Sequence, residues 1–232
     1  MITAAAGSET GRRYKANFDV VHLAETPLRA VVADGMGDGE GSARAGRTAV
    51  DTFVNALTGD VTAETLRAAV ATAQERVGEI GRHVVGLAGC TLTALVESRT
   101  GFWITQIGDS RVYRLRQGLL ELLTVDHTMA WLGATHGWYP FDSREAAAAR
   151  YHLTRYVGHP ELPEPDVLSV TVRPGDVYLL CSDGVAEQVS FQRLREVLGW
   201  SLPASAKVAQ LLADADAAGG NDNATAVVIT TG

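Results

Sequence analysis

The sequence predicts an α+β fold in which strands and helices come in blocks instead of alternating one by one. Three observations carry this. Runs rich in valine and isoleucine ("RAVVA", "TLTALV", "VYLLC", "TAVVIT") form an early block, a middle block and a closing one, with alanine-rich helical patterns between them. Gln117-Gly118 marks the turn of a hairpin, and Pro174-Gly175 marks a tight turn between two hydrophobic runs. The chain has 232 residues and shows no linker, internal repeat or low-complexity tract, so one domain spanning 1–232 is the simplest organisation.

Taken in order, "NFDVVHLAETPLRAVVADG" (17–35) reads as two strands meeting near Thr26-Pro27, on the strength of Val20, Val21, Val31 and Val32. The segment before it, "MITAAAGSETGRR", is assigned no element and has no secretory pattern. From Ser42, Ala45, Ala49, Phe53 and Leu57 follow at four-residue steps and make one apolar helical stripe, ended by Gly59-Asp60. A second helix follows, with Thr62 as N-cap and Thr65 where a capping box wants Glu or Gln. "GCTLTALVES" and "TGFWITQIGDS" are strands around a turn at 98–101, and "RVYRLRQGLLELLT" is a further hairpin. Residues 126–150 mix turn residues, aromatics and a short alanine-rich helix, and so long a segment between strands is expected to be functional or mobile. "HLTRYVG" (152–158) and "DVLSVTVRPGDVYLLCSDG" resume strands. "FQRLREVLG" and "PASAKVAQLLADADAAG" are late helices, and "NATAVVITTG" is a last strand.

Composition excludes several classes of partner. A net charge of -7 argues against nucleic acid, which wants clustered lysine and arginine. No run approaches the ~18 apolar residues of a membrane span. Cys90 and Cys181 both sit in apolar runs and read as buried thiols of a reducing cytoplasm.

One feature recurs. Apolar runs end, or begin, on an aspartate beside glycine or asparagine: Asp19, Asp34, Asp109, Asp183 and Asp222. Each alone reads as a turn residue. Together they are harder to dismiss, because each abuts a run apolar enough to be buried. Two such charges ~4 Å apart repel by roughly 4 kcal/mol at an effective dielectric of about 20. Raised pKa values or bound cations must compensate, and an oxygen-rich set suits Mg²⁺, Mn²⁺ or Ca²⁺ better than zinc.

In order along the chain stand "NFD" (17–19), "ADGMGDG" (33–39), "GCT" (89–91), "IGDSRVYRL" (107–115), "LTVDHT" (123–128), "LTRYVG" (153–158), "PGDVYLLCSDGV" (174–185) and "NDNATAVVI" (221–229). In these the sequence resembles the PPM-type (type 2C) metal-dependent serine/threonine protein phosphatases, bacterial single-domain members included. The resemblance implies a β-sandwich of two antiparallel sheets flanked by helix pairs, in α-β-β-α layers. It also implies a site. Asp34 would bridge two Mn²⁺ or Mg²⁺ ions, Asp183 and Asp222 would complete the first, and the Gly35 carbonyl would serve the second with Asp19 behind it. Asp109 and Asp183 would hold a weaker third ion. A water held between the two ions would attack the phosphorus in line. Phosphorylated proteins are the implied substrates and a serine/threonine kinase the implied upstream partner. A cytoplasmic monomer touching neither nucleic acid nor membrane is expected.

Two places depart from the family pattern. Alignment on Asn17 and Asp19 puts Tyr14 where the family usually has a phosphate-gripping arginine, and Phe18 where it has Glu or Gln. Tyrosine lacks the charge and the bidentate fork. Arg12 and Arg13 are adjacent, so Arg12, Arg13 and Tyr14 are the candidate substrate-binding residues. In a regular strand Arg12 would share Tyr14's face, and a bulge would swap it for Arg13. Tyr14 also supports the alternative of a pseudophosphatase that keeps the fold for binding. Asp38 and Glu40 are unusually acidic and are expected to be bystanders. His127 is expected to make a structural hydrogen bond. Trp131, Trp138 and Tyr139, in a flap at about 128–150, either contact peptide or anchor the flap.

Overall fold

The computed structural model describes residues 1–37 and 39–232; Asp38, expected to be a bystander, lies outside the described residues. Its strands are β1 (Ile2–Glu9), β2 (Val20–Glu25), β3 (Leu28–Ala33), β4 (Leu92–Ser98), β5 (Gly101–Ile107), β6 (Arg111–Arg116), β7 (Leu119–Leu122), β8 (Asp166–Val170), β9 (Val177–Cys181) and β10 (Ala224–Thr231). They form two antiparallel five-stranded sheets, ordered β1-β10-β9-β6-β7 and β2-β3-β4-β5-β8.

The side-chain period of two sorts each strand between layers. Leu28, Ala30 and Val32 of β3 meet Tyr178 and Leu180 of β9 and Val227 and Ile229 of β10 between the sheets. The intervening Val31 and Ala33 face outward, under α1 (Glu40–Ala56) and α2 (Ala63–Gly81). On the far side Leu179, Cys181, Ala226 and Val228 pack under α6 (Phe191–Leu198) and α7 (Ala204–Ala217). Four layers result, α-β-β-α. Because both faces of each central strand are covered, "VYLLC" and "AVVI" read as continuous apolar runs, which explains their imperfect alternation.

Thr62 caps α2 as expected: its hydroxyl accepts from the Thr65 N–H, and Thr65's hydroxyl returns the bond to the Thr62 N–H. A threonine thus does the work expected of Glu or Gln in a capping box.

Two expectations are corrected. The N-terminal segment is a strand: β1 pairs with β10 from Ile2↔Thr231 to Glu9↔Ala224. Its alanines, glycine and serine are poor strand formers, so the strand exists because β10 offers it an unpaired edge. Cross-strand hydroxyl pairs, Thr3–Thr230 and Ser8–Thr225 at 2.6 Å each, strengthen it. Conversely, "HLTRYVG" forms no strand. It makes single bridges to two different partners, Leu153↔Thr128 and Val157↔Cys90, so no ladder propagates.

Candidate metal centre

Antiparallel pairing determines where the aspartates go. In the second sheet the start of β2 lies beside the end of β3 (Val20↔Ala33), and the start of β4 beside the end of β5 (Leu92↔Ile107). In the first sheet the end of β9 lies beside the start of β10 (Cys181↔Ala226). Asp19, Asp34, Asp109, Asp183 and Asp222 stand at these termini. All five therefore gather at one end of the sandwich.

Asp34, Gly35, Asp109, Asp183 and Asp222 line one cavity of about 290 Å³, with Tyr14 and Asn223 in its wall. Asp19 is buried behind it. Its Oδ2 accepts from the Ser182 hydroxyl at 2.8 Å and the Thr225 hydroxyl at 2.7 Å, while its Oδ1 has no partner among the described residues. Asp34 is positioned by Thr91, whose hydroxyl accepts from the Asp34 N–H at 2.9 Å and whose N–H donates to the Asp34 carbonyl at 2.8 Å. Thr91 in turn packs on Gly108, where φ is +109° and a Cβ would lie 2.6 Å from the threonine side chain. Asp183 opens the one-turn helix α5 (Asp183–Ala186) directly after β9. Gly184 beside it is required by close approach, since a Cβ there would meet the Asn223 carbonyl at 2.0 Å.

The electrostatics are uniformly unfavourable to five bare charges. Burial pushes Asp34 well above the ordinary carboxylate range, and the charges of Asp19, Asp183 and Asp109 push it further. Asp109 is raised by burial and then by Asp183 and Asp126. Asp183 is raised by burial and by Asp222. Asp19 is raised by burial against the lowering effect of its two hydroxyl donors. Asp222 is raised by burial, with the Asn223 N–H and Arg13 acting in the opposite sense. One oxygen of Asp183, like one of Asp19, is buried without a partner among the described residues.

Desolvated carboxylates gathered at one end of the sandwich, two of them with an oxygen that has no partner among the described residues, fit a hard divalent cation. Among the described residues, no three His, Cys, Asp or Glu side chains are closed up tightly enough to hold an ion alone.

The substrate-binding candidates separate. Residues 11–14 form a turn instead of a strand, closed by the Tyr14 N–H on the Gly11 carbonyl at 3.1 Å. Tyr14 stands in the cavity wall, its ring edge-on to Phe18 with centroids 6.2 Å apart. Arg12 points elsewhere, forked onto Asp216 at 2.6 and 2.7 Å. Arg13 is exposed at the turn, and its charge acts on Asp222.

His127 makes the structural bonds expected of it. Its Nδ1 accepts from the Gly108 N–H at 3.1 Å and its Nε2 meets Asp166 at 3.1 Å, with the ring buried. The flap carries α3 (Met129–Thr135) and α4 (Arg144–Ala149). Its Tyr139 hydroxyl bonds the Met129 carbonyl, so that ring braces the flap internally, while Trp131 and Trp138 stay 40% and 60% exposed.

Reading the sequence missed Asn223, whose Oδ1 accepts from the Gly11 N–H at 3.0 Å, and the hydroxyls of Thr91, Ser182 and Thr225. Their signal was present: each is a hydroxyl or amide residue inside a motif quoted for its aspartate or cysteine, at the edge of an apolar run.

A model of the protein phosphatase 2C family matches residues 14–218. The chain belongs to the protein phosphatase 2C family. Among curated relatives, the serine/threonine protein phosphatase PstP of Mycobacterium tuberculosis is 34% identical over 236 residues, covering 97% of this chain. The chain spans only 44% of that relative's length. Among solved structures, PppA of Pseudomonas aeruginosa, described as a key regulatory component of T6SS, superposes with a TM-score of 0.87 at 32% identity, over 99% of this chain and 97% of that one. The catalytic domain of PstP in complex with two manganese ions superposes with a TM-score of 0.85 at 29% identity, over 99% and 97%. The fold is thus shared with these solved structures along nearly the whole chain.

Proposed function

We propose that this chain is a Mn²⁺- or Mg²⁺-dependent protein phosphatase acting on phosphoserine and phosphothreonine. One observation carries the reading: four aspartates line a single cavity with a fifth buried behind, two of the five with an oxygen that has no partner among the described residues. The phosphatase names of the relatives and the two manganese ions of the PstP structure support it.

In this reading Asp34, Asp183, Asp222 and the Gly35 carbonyl, with Asp19 behind, would hold two ions, and Asp109 with Asp183 would hold a weaker third. Bound there, the ions would neutralise phosphoryl charge and make water nucleophilic near neutral pH. The chain's own contribution is placement. Thr91 holds Asp34 through two hydrogen bonds, and Ser182 and Thr225 hold Asp19. Residues 1–232 act as one catalytic unit with the flap at about 128–150. Phosphorylated proteins downstream of a serine/threonine kinase are the substrates. The setting is cytoplasmic, in keeping with two free buried cysteines, and the enzyme acts as a monomer. No helix among the described residues is long and apolar enough to cross a membrane.

Hydrolysis of p-nitrophenyl phosphate and of a phosphothreonyl peptide tests the reading. Turnover is expected with Mn²⁺ and is expected to vanish with a chelator. A folded protein with no Mn²⁺-dependent turnover of either substrate sinks it.

Tyr14 sets a second expectation. With a neutral residue in the wall, phosphate capture lacks a charged donor on that side. Tyr14→Arg is expected to lower KM for the phosphopeptide about fivefold, equivalent to ~1 kcal/mol, the usual gain from adding charge to a hydrogen bond. An unchanged or higher KM counts against it.

A further inference from the structure

We infer that a cleft between α1 and α2 binds an acidic stretch of the phosphoprotein undergoing dephosphorylation; this rests on the phosphatase reading. The chain carries a net charge of -7. Yet Arg44 and Thr48 of α1, Arg76, Glu79 and Ile80 of α2, and Arg82 and His83 just past it line one surface cleft of about 670 Å³, in which three arginines outnumber one carboxylate. The arginines are not committed to internal partners. Arg44 meets Glu40 at 3.3 Å and Arg82 meets Glu79 at 3.8 Å, both in exposed pairs of the kind worth a few tenths of a kcal/mol. Arg76 is exposed and makes no ion pair among the described residues. Cations past the end of α2 suit its dipole, but that does not account for Arg44 and Arg76, which come from the bodies of two helices.

The cleft lies near the aspartate cavity along the chain. Leu87 lines that cavity. Gly41, in the first turn of α1, is pressed against it so closely that a Cβ would lie 2.5 Å from the Leu87 carbonyl oxygen. Arg44 is three residues further, about 4.5 Å along the helix at 1.5 Å per residue. His83 is four residues from Leu87, at most ~14 Å of chain. An extended substrate whose phosphoresidue enters the cavity therefore brings side chains roughly three to six residues away over the arginines. Carboxylates, or a further phosphate, are the groups an arginine cluster recognises.

The test uses phosphothreonyl peptides that differ only in a tail of four aspartates or four asparagines, placed four residues from the phosphothreonine on either side. With the whole chain and Mn²⁺, kcat/KM is expected to favour one acidic peptide over its neutral twin about threefold to tenfold, through KM, and the ratio to fall towards one at high salt. Arg76→Glu is expected to bring the ratio to one or below, and Arg76→Gln to leave an intermediate value. Hydrolysis of all peptides with a ratio of one in the natural protein, or a ratio that survives Arg76→Glu, overturns the inference and leaves the phosphatase reading standing. Arg76-dependent binding to phosphatidylserine vesicles without any peptide preference assigns the cleft to a lipid surface and also overturns it. Failure to hydrolyse any peptide removes the phosphatase reading and the inference with it.

Discussion

Asp183→Asn is expected to cut Mn²⁺-dependent hydrolysis by a factor on the order of 10² or more while raising the melting temperature of the metal-free protein. The two effects have one origin. Asp183 is half-buried, faces Asp222 and Asp34, and has one buried oxygen without a partner among the described residues. In the proposed site its charge is a ligand, and losing one preorganised charge at a reacting centre commonly costs 10²–10³-fold. Without metal the same charge is a liability, because burial and like-charged neighbours both oppose its ionisation.

The pH dependence follows in sign. Between the ordinary carboxylate pKa near 4 and the raised folded values, the folded chain binds more protons than the unfolded one. Stability of the metal-free protein is therefore lost as pH climbs through that window. Asparagine keeps the volume and removes one contributor, so the metal-free variant is expected to melt higher at pH 7 and to show a shallower pH slope. Thermal unfolding with and without Mn²⁺, beside steady-state rates, checks both halves. Full activity in the variant shows the site assignment to be wrong; a lower metal-free melting temperature shows the electrostatic account to be wrong.

Asp176→Ala is expected to have the largest effect on stability, about 3–5 kcal/mol. Asp176 lies just ahead of β9, at the end of that strand opposite Asp183, and its side chain is 1% exposed. Arg116 forks onto it at 2.7 and 2.6 Å, the Arg173 N–H donates at 2.9 Å and the Tyr178 hydroxyl at 3.1 Å. Burial opposes its ionisation, but these donors outweigh burial and hold its pKa below the ordinary carboxylate value. Removing it leaves the half-buried Arg116 guanidinium with the Thr171 carbonyl as its remaining partner and takes the carboxylate from the hydroxyl of Tyr178, whose ring packs edge-on against Phe102 between the sheets. For a chain of this size the melting temperature is expected to drop on the order of 10 °C. A depressed pKa stabilises above the unfolded value near 4 and ceases to do so as pH falls through the folded value. The penalty should therefore shrink in acid. Below melting, turnover per folded molecule should persist, because the network lies far from the cavity. A loss under 1 kcal/mol in denaturant titration would show that the network contributes little.

Much of the fold is written locally. The stripe Ala45, Ala49, Phe53, Leu57 and the reciprocal cap of Thr62 and Thr65 involve residues within a turn or two of each other, so α1 and α2 were legible. The last strand announced itself by "TAVVIT". β1 did not, because "ITAAAGSE" has little strand propensity and becomes a strand only against β10, more than two hundred residues away. The strand signal of "HLTRYVG" was equally local, and it failed because no continuous partner edge lies alongside. Sheet order was illegible for the same reason: β10 lies between β1 and β9, and nothing within any of those strands states it.

The site divides along the same line. The doublets in "VVADG", "IGDS" and "CSDG" marked aspartates at strand ends, and "NFD" and "NDN" marked two more at strand starts. That much is composition and spacing. Whether those ends meet depends on antiparallel registers between strands remote in sequence, and so do the raised pKa values, since Coulomb repulsion and desolvation depend on distance and burial. Neither is a property of a short window of residues. The three neighbours at 12–14 show the difference most clearly. Their sequence permitted any of them to face the phosphate. The Gly11–Tyr14 turn and Asp216 on α7 sent Arg12 away, set Tyr14 in the cavity wall and left Arg13 exposed beside Asp222.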